Sequence, residues 1–332
     1  MYQILIPRTV SGSGVSFLQN MGCEVITGKP VSDQDAMLQT CDAILAGGMG
    51  GLYYGEPLLK RCINCKIIAN YSVGYENIDV SAAEKRGIYV TNSGDSNANA
   101  VAEHTVFLIL ACAKIARIMG QASLTGNFAV RRKVHSVELQ GKTLGIIGYG
   151  RIGKLVAQKC TQGFGMKVLA YDAYLNPDRL SDDIELVDSM DTVLAKADFL
   201  TVHLPLTNET KGIISAREFE KMKETACFIN VSRGRLVVEK DLIYALQNNI
   251  IGGAGLDVFE QEPTDPSNPL LYMENVVTTP HCAANTVESL ERMELFAAKD
   301  IWRVLNGEEP LFPVNHPQTM ITNQMEQTES GI

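Results

Sequence analysis

The sequence predicts an α/β protein built on two parallel sheets, and three observations predict it. Short apolar runs alternate with helix-like segments along most of the 332 residues. That is the pattern of strands covered by helices on both faces. One run, Thr143 to Ile147, leads into glycines at 148, 150 and 153, then a helix, then a strand ending in Asp172. A separate strand–helix alternation fills about the first 95 residues, ahead of that motif.

In chain order, Gln3 to Pro7 is expected as a strand, Gly14 to Met21 as a helix and Glu24 to Ile26 as a strand. Ser32, with Asp35 three residues on, resembles a capping box that opens a helix through Gln39. Ala43 to Ala46 is a third strand. It enters a glycine-rich loop, Gly47 to Gly51, which reads equally well as a flexible turn or as a loop facing a ligand. The strand Lys66 to Asn70, a helix from Val80 to Arg86 and the strand Ile88 to Val90 complete the first unit. Asn97 to Met119 reads as one long helix, with apolar residues at Val101, Phe107, Leu108, Leu110 and Ile115. The basic trio Arg131, Arg132 and Lys133 is expected on a solvated surface.

In the motif itself, Gly148 permits a tight turn out of the strand. Gly150 lets a pyrophosphate approach the backbone, and Gly153 lets the helix from Ile152 to Lys159 pack closely. The helix start offers unpaired N–H groups and partial positive charge to an anion. Asp172 follows Gly153 by 19 residues. A carboxylate there suits the ribose hydroxyls of NAD and repels the extra phosphate of NADP, so NADH is expected over NADPH. Further strands are expected at Phe199 to His203, Ala226 to Asn230, Ile251 to Leu256 and Val276 to Thr279, and further helices at Met190 to Lys196, Ser215 to Met222 and Glu239 to Gln247. A last helix runs from about Thr286 to Asn306, and the polar residues from Thr319 onward are expected to fray.

The totals narrow the function classes. A net charge of −9 disfavours nonspecific binding to nucleic acid or an anionic membrane. No basic region precedes the apolar N-terminal residues, as a signal peptide would require. The most apolar helix candidate, Thr105 to Ala113, is too short for a bilayer. Eight cysteines are scattered, and the single C-x-x-C at Cys62 and Cys65 lacks a second pair or a nearby histidine. The reading is a cytoplasmic protein with reduced thiols and no metal.

Three strand-end segments carry polar groups in apolar surroundings: Arg233 in NVSRGRL; Asp257, Glu260 and Glu262 in GLDVFEQEP; His281 in TTPHCAAN. Singly they read as a surface ion-pair partner, solvated loop acids and a turn residue. Ligands of open α/β sheets bind at the carboxyl ends of strands, so together the three point to the edge that carries the glycines.

These motifs, with HLPLT from His203, SVGYENID from Ser72 and NANAVAEHT from Asn97, resemble the NAD-dependent D-2-hydroxyacid dehydrogenases over nearly the whole chain. The resemblance implies two Rossmann-like or flavodoxin-like domains. Residues 1–98 and 284–332 would form the substrate domain, and 99–283 an inserted NAD-binding domain. It implies hinges near Asn97 and Ala283 to Thr286, a cleft closed over the substrate, and a homodimer. Carried over by motif, Arg233 binds a 2-oxo acid, His281 donates a proton to its carbonyl oxygen, and Glu262, directly before Pro263, pairs with His281. The amides of Val73 and Gly74 would hold the substrate carboxylate. Cofactor contacts would come from Gly148, Gly150, Arg151, Ile152 and Gly153 at the pyrophosphate and Asp172 at the ribose. Leu204, Pro205 and Thr210 would lie along the adenosine side, and Val231, Ser232 and Asp257 towards the nicotinamide.

Ile67 to Asn92 looks most like the glyoxylate and hydroxypyruvate reductases. The phosphoglycerate dehydrogenase branch often has an arginine where Asn70 stands, although Arg131 or Arg132 could substitute, even from a partner subunit. No regulatory domain is expected beyond residue 332. SGDSNANAV departs from the usual proline-containing form of the reductases, and Met49, Leu52 or Tyr53 could set side-chain size. The alternative from another class is an NAD-sensing protein whose main role is to recruit a partner.

Overall fold

The structure is a computed structural model that describes residues 1–7, 12–28, 35–47, 52–174 and 184–317. The chain divides into two compact units, residues 1–97 with 286 onward and residues 98–285.

In the first unit, β1 (Gln3–Ile6), β2 (Glu24–Thr27), β3 (Ala43–Ala46), β4 (Ile67–Asn70) and β5 (Tyr89–Thr91) form a parallel sheet in the order β2-β1-β3-β4-β5. Successive side chains of a strand point to opposite faces. Ile4, Ile6, Ala43 and Leu45 therefore join one core cluster, and Leu5, Ile44 and Ala46 the other. The first cluster is covered by α1 (Ser13–Asn20) and the long helix Val287–Leu305, through Val15, Leu18, Ala297 and Ile301. The second is covered by α2 (Asp35–Thr40), α3 (Glu56–Leu59) and α4 (Val80–Glu84), through Leu38, Leu58, Leu59 and Ala83. Complete burial of a side chain such as Ile301 stabilises by about 2–3 kcal/mol. Helix α1 has no cap of its own. The carboxylate of Glu294 accepts the Val15 amide at 3.2 Å instead. Ser32 of the expected capping box, Met49 and most of the Gly47 to Gly51 loop lie outside the described residues.

The second unit opens with a departure from expectation. Where one helix was predicted from Asn97 to Met119, the chain forms α5 (Ala98–Ala113) and α6 (Ala116–Leu124), bent by 65°. Ile115 makes the break at φ 47°, a left-handed conformation unfavourable for a β-branched residue. The Ala113 carbonyl accepts the Val137 amide at 2.9 Å, and Lys114 Nζ donates to the Val137 carbonyl at 2.8 Å. A helix ended by a partner 23 residues away leaves no local signal. Among the described residues no single helix is long and apolar enough to cross a membrane.

Seven parallel strands follow: β6 (Thr143–Ile147), β7 (Lys167–Tyr171), β8 (Ile184–Leu186), β9 (Phe199–Val202), β10 (Cys227–Asn230), β11 (Gly253–Leu256) and β12 (Val276–Thr278). Their order is β12-β11-β10-β9-β6-β7-β8. Between them run α7 (Arg151–Phe164), α8 (Met190–Lys196), α9 (Ala216–Phe219) and α10 (Glu239–Gln247). Edge strand β8 was not expected; it is three residues long, and none is fully buried. The strand order reverses at β6, which has β7 on one side and β9 on the other. Such a reversal opens a crevice at the carboxyl ends of the strands. A groove of about 830 Å³ at the opposite end, lined by Thr143, Lys167, Ile184 and Lys196, lies away from every predicted site residue.

Candidate active site

The glycine turn lies at the reversal point. Gly148 has φ +94°, and a Cβ there would stand 2.7 Å from the His203 carbonyl oxygen. A Cβ on Gly153 would stand 2.5 Å from the Gly148 carbonyl oxygen. Both positions exclude a side chain because of the protein itself. Gly150 differs: its φ is −78°, and a Cβ would meet nothing within 4 Å. Neither backbone nor packing demands a glycine there, so the open space is available to a ligand. Helix α7 starts at Arg151 with no side-chain cap and no acid in its first turn, which leaves its first amides to an anion. Asp172, at the end of β7, accepts the Tyr149 amide at 2.8 Å and the Tyr174 amide at 2.9 Å. Its carboxylate is thereby fixed beside the turn. These residues suit a dinucleotide: an open glycine, an uncapped helix start and an anchored acid.

On the other side of β6, Leu204 adjoins Gly148, and Thr210 closes a tight turn by donating to the Pro205 carbonyl at 2.6 Å. Val231 is buried, and the Ser232 hydroxyl donates to the Val202 carbonyl at 2.6 Å.

Three loops at the carboxyl ends of the adjacent strands β10, β11 and β12 carry Arg233, Glu262 and His281. The first is shaped by Asn230, whose side chain accepts the Ser232 amide and donates to the Arg233 carbonyl, each at 3.0 Å. Gly234 then presses onto the second loop: a Cβ would lie 1.8 Å from the Phe259 carbonyl oxygen. In that second loop Glu262 accepts the Phe259 amide at 2.9 Å through Oε1 and meets His281 Nδ1 at 2.7 Å through Oε2. Burial raises the pKa of Glu262. The hydrogen bonds from His281 and Phe259 and the Arg233 charge outweigh burial and hold the carboxyl below its ordinary range. Glu260 points elsewhere and caps α10 by accepting the Glu239 amide at 3.3 Å.

His281 has φ +50°. Its amide donates to the Asp257 carbonyl at 2.7 Å. With Nδ1 committed to Glu262, Nε2 is the nitrogen left to exchange a proton with a ligand. The fixed guanidinium, the carboxylate-backed imidazole and the anion site of α7 are the parts needed to reduce a carbonyl beside a carboxylate.

Asp257 is fully buried. Its carboxylate accepts the Thr279 hydroxyl at 2.6 Å and the amides of Cys282 and Ala283 at 2.9 Å each. It thus anchors the segment around His281. His104 of α5 joins this group, with Nε2 at 2.9 Å from Thr279 Oγ1. The sequence reading gave no role to His104 or Thr279. Thr279 next to Pro280 and His281 was the available signal, whereas His104 lies 175 residues from its partner.

Val73 and Gly74 belong to the first unit, in the loop after β4. Asn70 is buried there, and its amide nitrogen donates to Ser72 Oγ at 2.8 Å and to the Gly74 carbonyl at 2.5 Å. Arg131 and Arg132 sit in a short exposed 3-10 turn.

Comparison with known proteins adds independent support. Residues 106–283 match the model of the D-isomer specific 2-hydroxyacid dehydrogenase NAD-binding domain. A glyoxylate reductase from Thermofilum pendens is 42% identical over 324 residues, 94% of each chain. A D-3-phosphoglycerate dehydrogenase from Archaeoglobus fulgidus is 36% identical over 92% of this chain. The present chain covers only 58% of that relative's length. The crystal structure of D-lactate dehydrogenase with NAD+ from Lactobacillus jensenii superposes with a TM-score of 0.79 at 30% identity, covering 95% of this chain and all of that one.

Proposed function

Because the chain belongs to the D-isomer specific 2-hydroxyacid dehydrogenase family, we propose that it reduces small 2-oxo acids of the glyoxylate or hydroxypyruvate kind, using NADH. The observation that carries this reading is the 2.7 Å pair of Glu262 and His281 beside the Arg233 loop. Bound NADH supplies the hydride. Arg233 takes the oxo-acid oxygens and opposes the negative charge that grows on the carbonyl oxygen. His281 gives that oxygen its proton from Nε2. Glu262, 2.7 Å from Nδ1, orients the ring and places a negative charge beside it, leaving Nε2 towards the substrate. In the reverse direction the same pair accepts the proton from a 2-hydroxy acid.

The anchored Asp172 carboxylate supports a preference for NADH, because a 2′-phosphate at that ribose would meet its charge. Three exposed apolar side chains close in sequence, Phe107, Leu124 and Phe128, support a homodimer. Eight unpaired thiols fit a cytoplasmic setting. A second reading, D-3-phosphoglycerate dehydrogenase, draws on the Archaeoglobus relative. Asn70 weighs against it, since its amide nitrogen is spent within its own loop.

The test is an NADH oxidation assay across glyoxylate, hydroxypyruvate, pyruvate, branched and aromatic 2-oxo acids and phosphohydroxypyruvate. Turnover of the small acids is expected. His281→Gln should nearly abolish it, and Arg233→Ala should mainly weaken substrate binding. Tight NAD binding with silence across the panel would favour an NAD sensor instead, and near-normal kinetics in either variant would remove the catalytic assignment.

A further inference from the structure

We propose that His104 is a positioning residue for His281: its Nε2–H fixes the Thr279 hydroxyl onto Asp257, and this chain holds the turn that presents His281. The inference rests on reading His281 as the proton donor. The direction of the chain follows from its end. The Asp257 carboxylate already accepts two backbone amides, and Thr279 Oγ1 lies 2.6 Å from it, so the hydroxyl proton points at Asp257. The Thr279 oxygen is then an acceptor, and the group that reaches it at 2.9 Å is His104 Nε2. Burial pushes the His104 pKa down, opposed by the Asp257 charge, which keeps the ring in a neutral form that donates from one nitrogen.

The turn needs such support. His281 is one of only three non-glycine residues with positive φ among the described residues. A residue in that region persists only where its surroundings over-determine it. Here the Asp257 carbonyl binds the His281 amide and the Asp257 carboxylate binds the next two amides, so one residue holds three successive positions. His104 and Thr279 in turn hold that carboxylate. His104 also packs against Phe107, with ring centroids 5.4 Å apart.

His104, Asp257 and Cys282 place one ligand atom each within 4.8 Å of one another, a spacing that could gather a metal ion. The chemistry favours the hydrogen-bond chain. Burial and the Asp257 charge push the Cys282 thiol up, away from the thiolate a metal takes, and Asp257 Oδ1 is already engaged by Thr279 and Cys282.

The experiment uses the full chain labelled with 13C-histidine, whose five histidines give a countable set of ring signals, together with NADH-dependent reduction of glyoxylate. His104→Phe keeps a ring beside Phe107 and removes the donor, whereas His104→Gln keeps a side-chain N–H. In His104→Phe the His281 ring signal should move and broaden, and kcat should fall about tenfold with KM changed less than about twofold, the scale of one lost charge-linked hydrogen bond. His104→Gln should restore both. Thr279→Val should match His104→Phe, and the double variant should be no worse than either single one. An unmoved His281 signal in His104→Phe overturns the proposal, as do equal losses in the Phe and Gln variants. Zinc binding to the wild type that disappears in His104→Phe overturns it in favour of a metal site. The ring signal is read without substrate, so inactive wild-type protein would count against the proposed function and leave this inference to the spectrum.

Discussion

Lowering the pH from 7 to 5 should destabilise the second unit through one residue, His203. This histidine follows β9, with its Nε2 3.1 Å from Thr201 Oγ1. The residue keeps some exposed surface, but its Nδ1 is sealed from solvent with no partner among the described residues. Burial lowers its pKa from 6.5 to about 3. Between those values the unfolded chain binds a proton that the folded chain refuses, so stability falls as pH drops below 6.5. Integrated from pH 7 to pH 5, the loss is on the order of 2 kcal/mol; taken down to pH 3 it reaches about 4 kcal/mol. Carboxylates and other histidines titrate too, so the assay is a comparison with His203→Gln, which cannot take the proton. Urea unfolding followed by circular dichroism at both pH values gives the difference. Hydrogen exchange of the β6 and β9 amides assigns it to the second unit, which fluorescence of Trp302 in the first unit would not do. The wild type should lose about 2 kcal/mol more than the variant. Equal losses, or a His203 ring signal that titrates near 6.5, would refute the reasoning.

Glu262→Gln removes the negative charge behind His281 and should lower kcat by about 10- to 100-fold at neutral pH, read in steady-state assays. In the wild type the depressed Glu262 pKa contributes stability that is present above the ordinary carboxyl pKa of 4.5 and lost as pH falls below it, so acid unfolding of Glu262→Gln should be shallower there. Gly234→Ala places a methyl 1.8 Å from the Phe259 carbonyl oxygen and should destabilise by about 3 kcal/mol or more, seen as a lowered Tm. Asp172→Ala frees the Tyr149 and Tyr174 amides and should shift the ratio of NADPH to NADH kcat/KM upward by at least about tenfold.

The central β-strands were legible because each is an apolar run long enough to bury on both faces, as in Ile67 to Ala69 or Leu144 to Ile147. The glycine turn was legible for a related reason: Gly148 and Gly153 answer to steric demands that leave one residue type. What escaped the sequence depends on partners far along the chain. The break at Ile115 is set by Val137, and the start of α1 is satisfied by Glu294, 279 residues from Val15. Strand β8 is too short and too exposed to show periodicity. At the site, Arg233, Glu262 and His281 stood out only together, as polar groups after three strands that share one sheet edge, within motifs that resemble the family. Asp257 stood out with them, but His104 and Thr279 did not, since a histidine on an apolar helix looks like packing until its partner is known.

The sheet order explains why this constellation can form at all. Arg233, Glu262 and His281 are spread over 49 residues of chain, yet they follow β10, β11 and β12, which are lateral neighbours about 4.8 Å apart per step. Parallel strands connected by crossovers place all their carboxyl ends on one edge, so three successive loops meet without any of them being long. The contacts between these loops run through backbone as well as side chains: Gly234 against the Phe259 carbonyl, and the Asp257 carbonyl and carboxylate on three amides in a row. Such contacts fix position without reference to the substrate. In the proposed mechanism Arg233 and His281 address the carboxylate and carbonyl that every 2-oxo acid shares, while Glu262 pairs with His281. On that mechanism none of the three is assigned to the substituent that separates glyoxylate from lactate or phosphoglycerate chemistry. That division accounts for relatives that keep one family while their names differ in substrate, and it accounts for a reaction class more legible in this chain than its substrate.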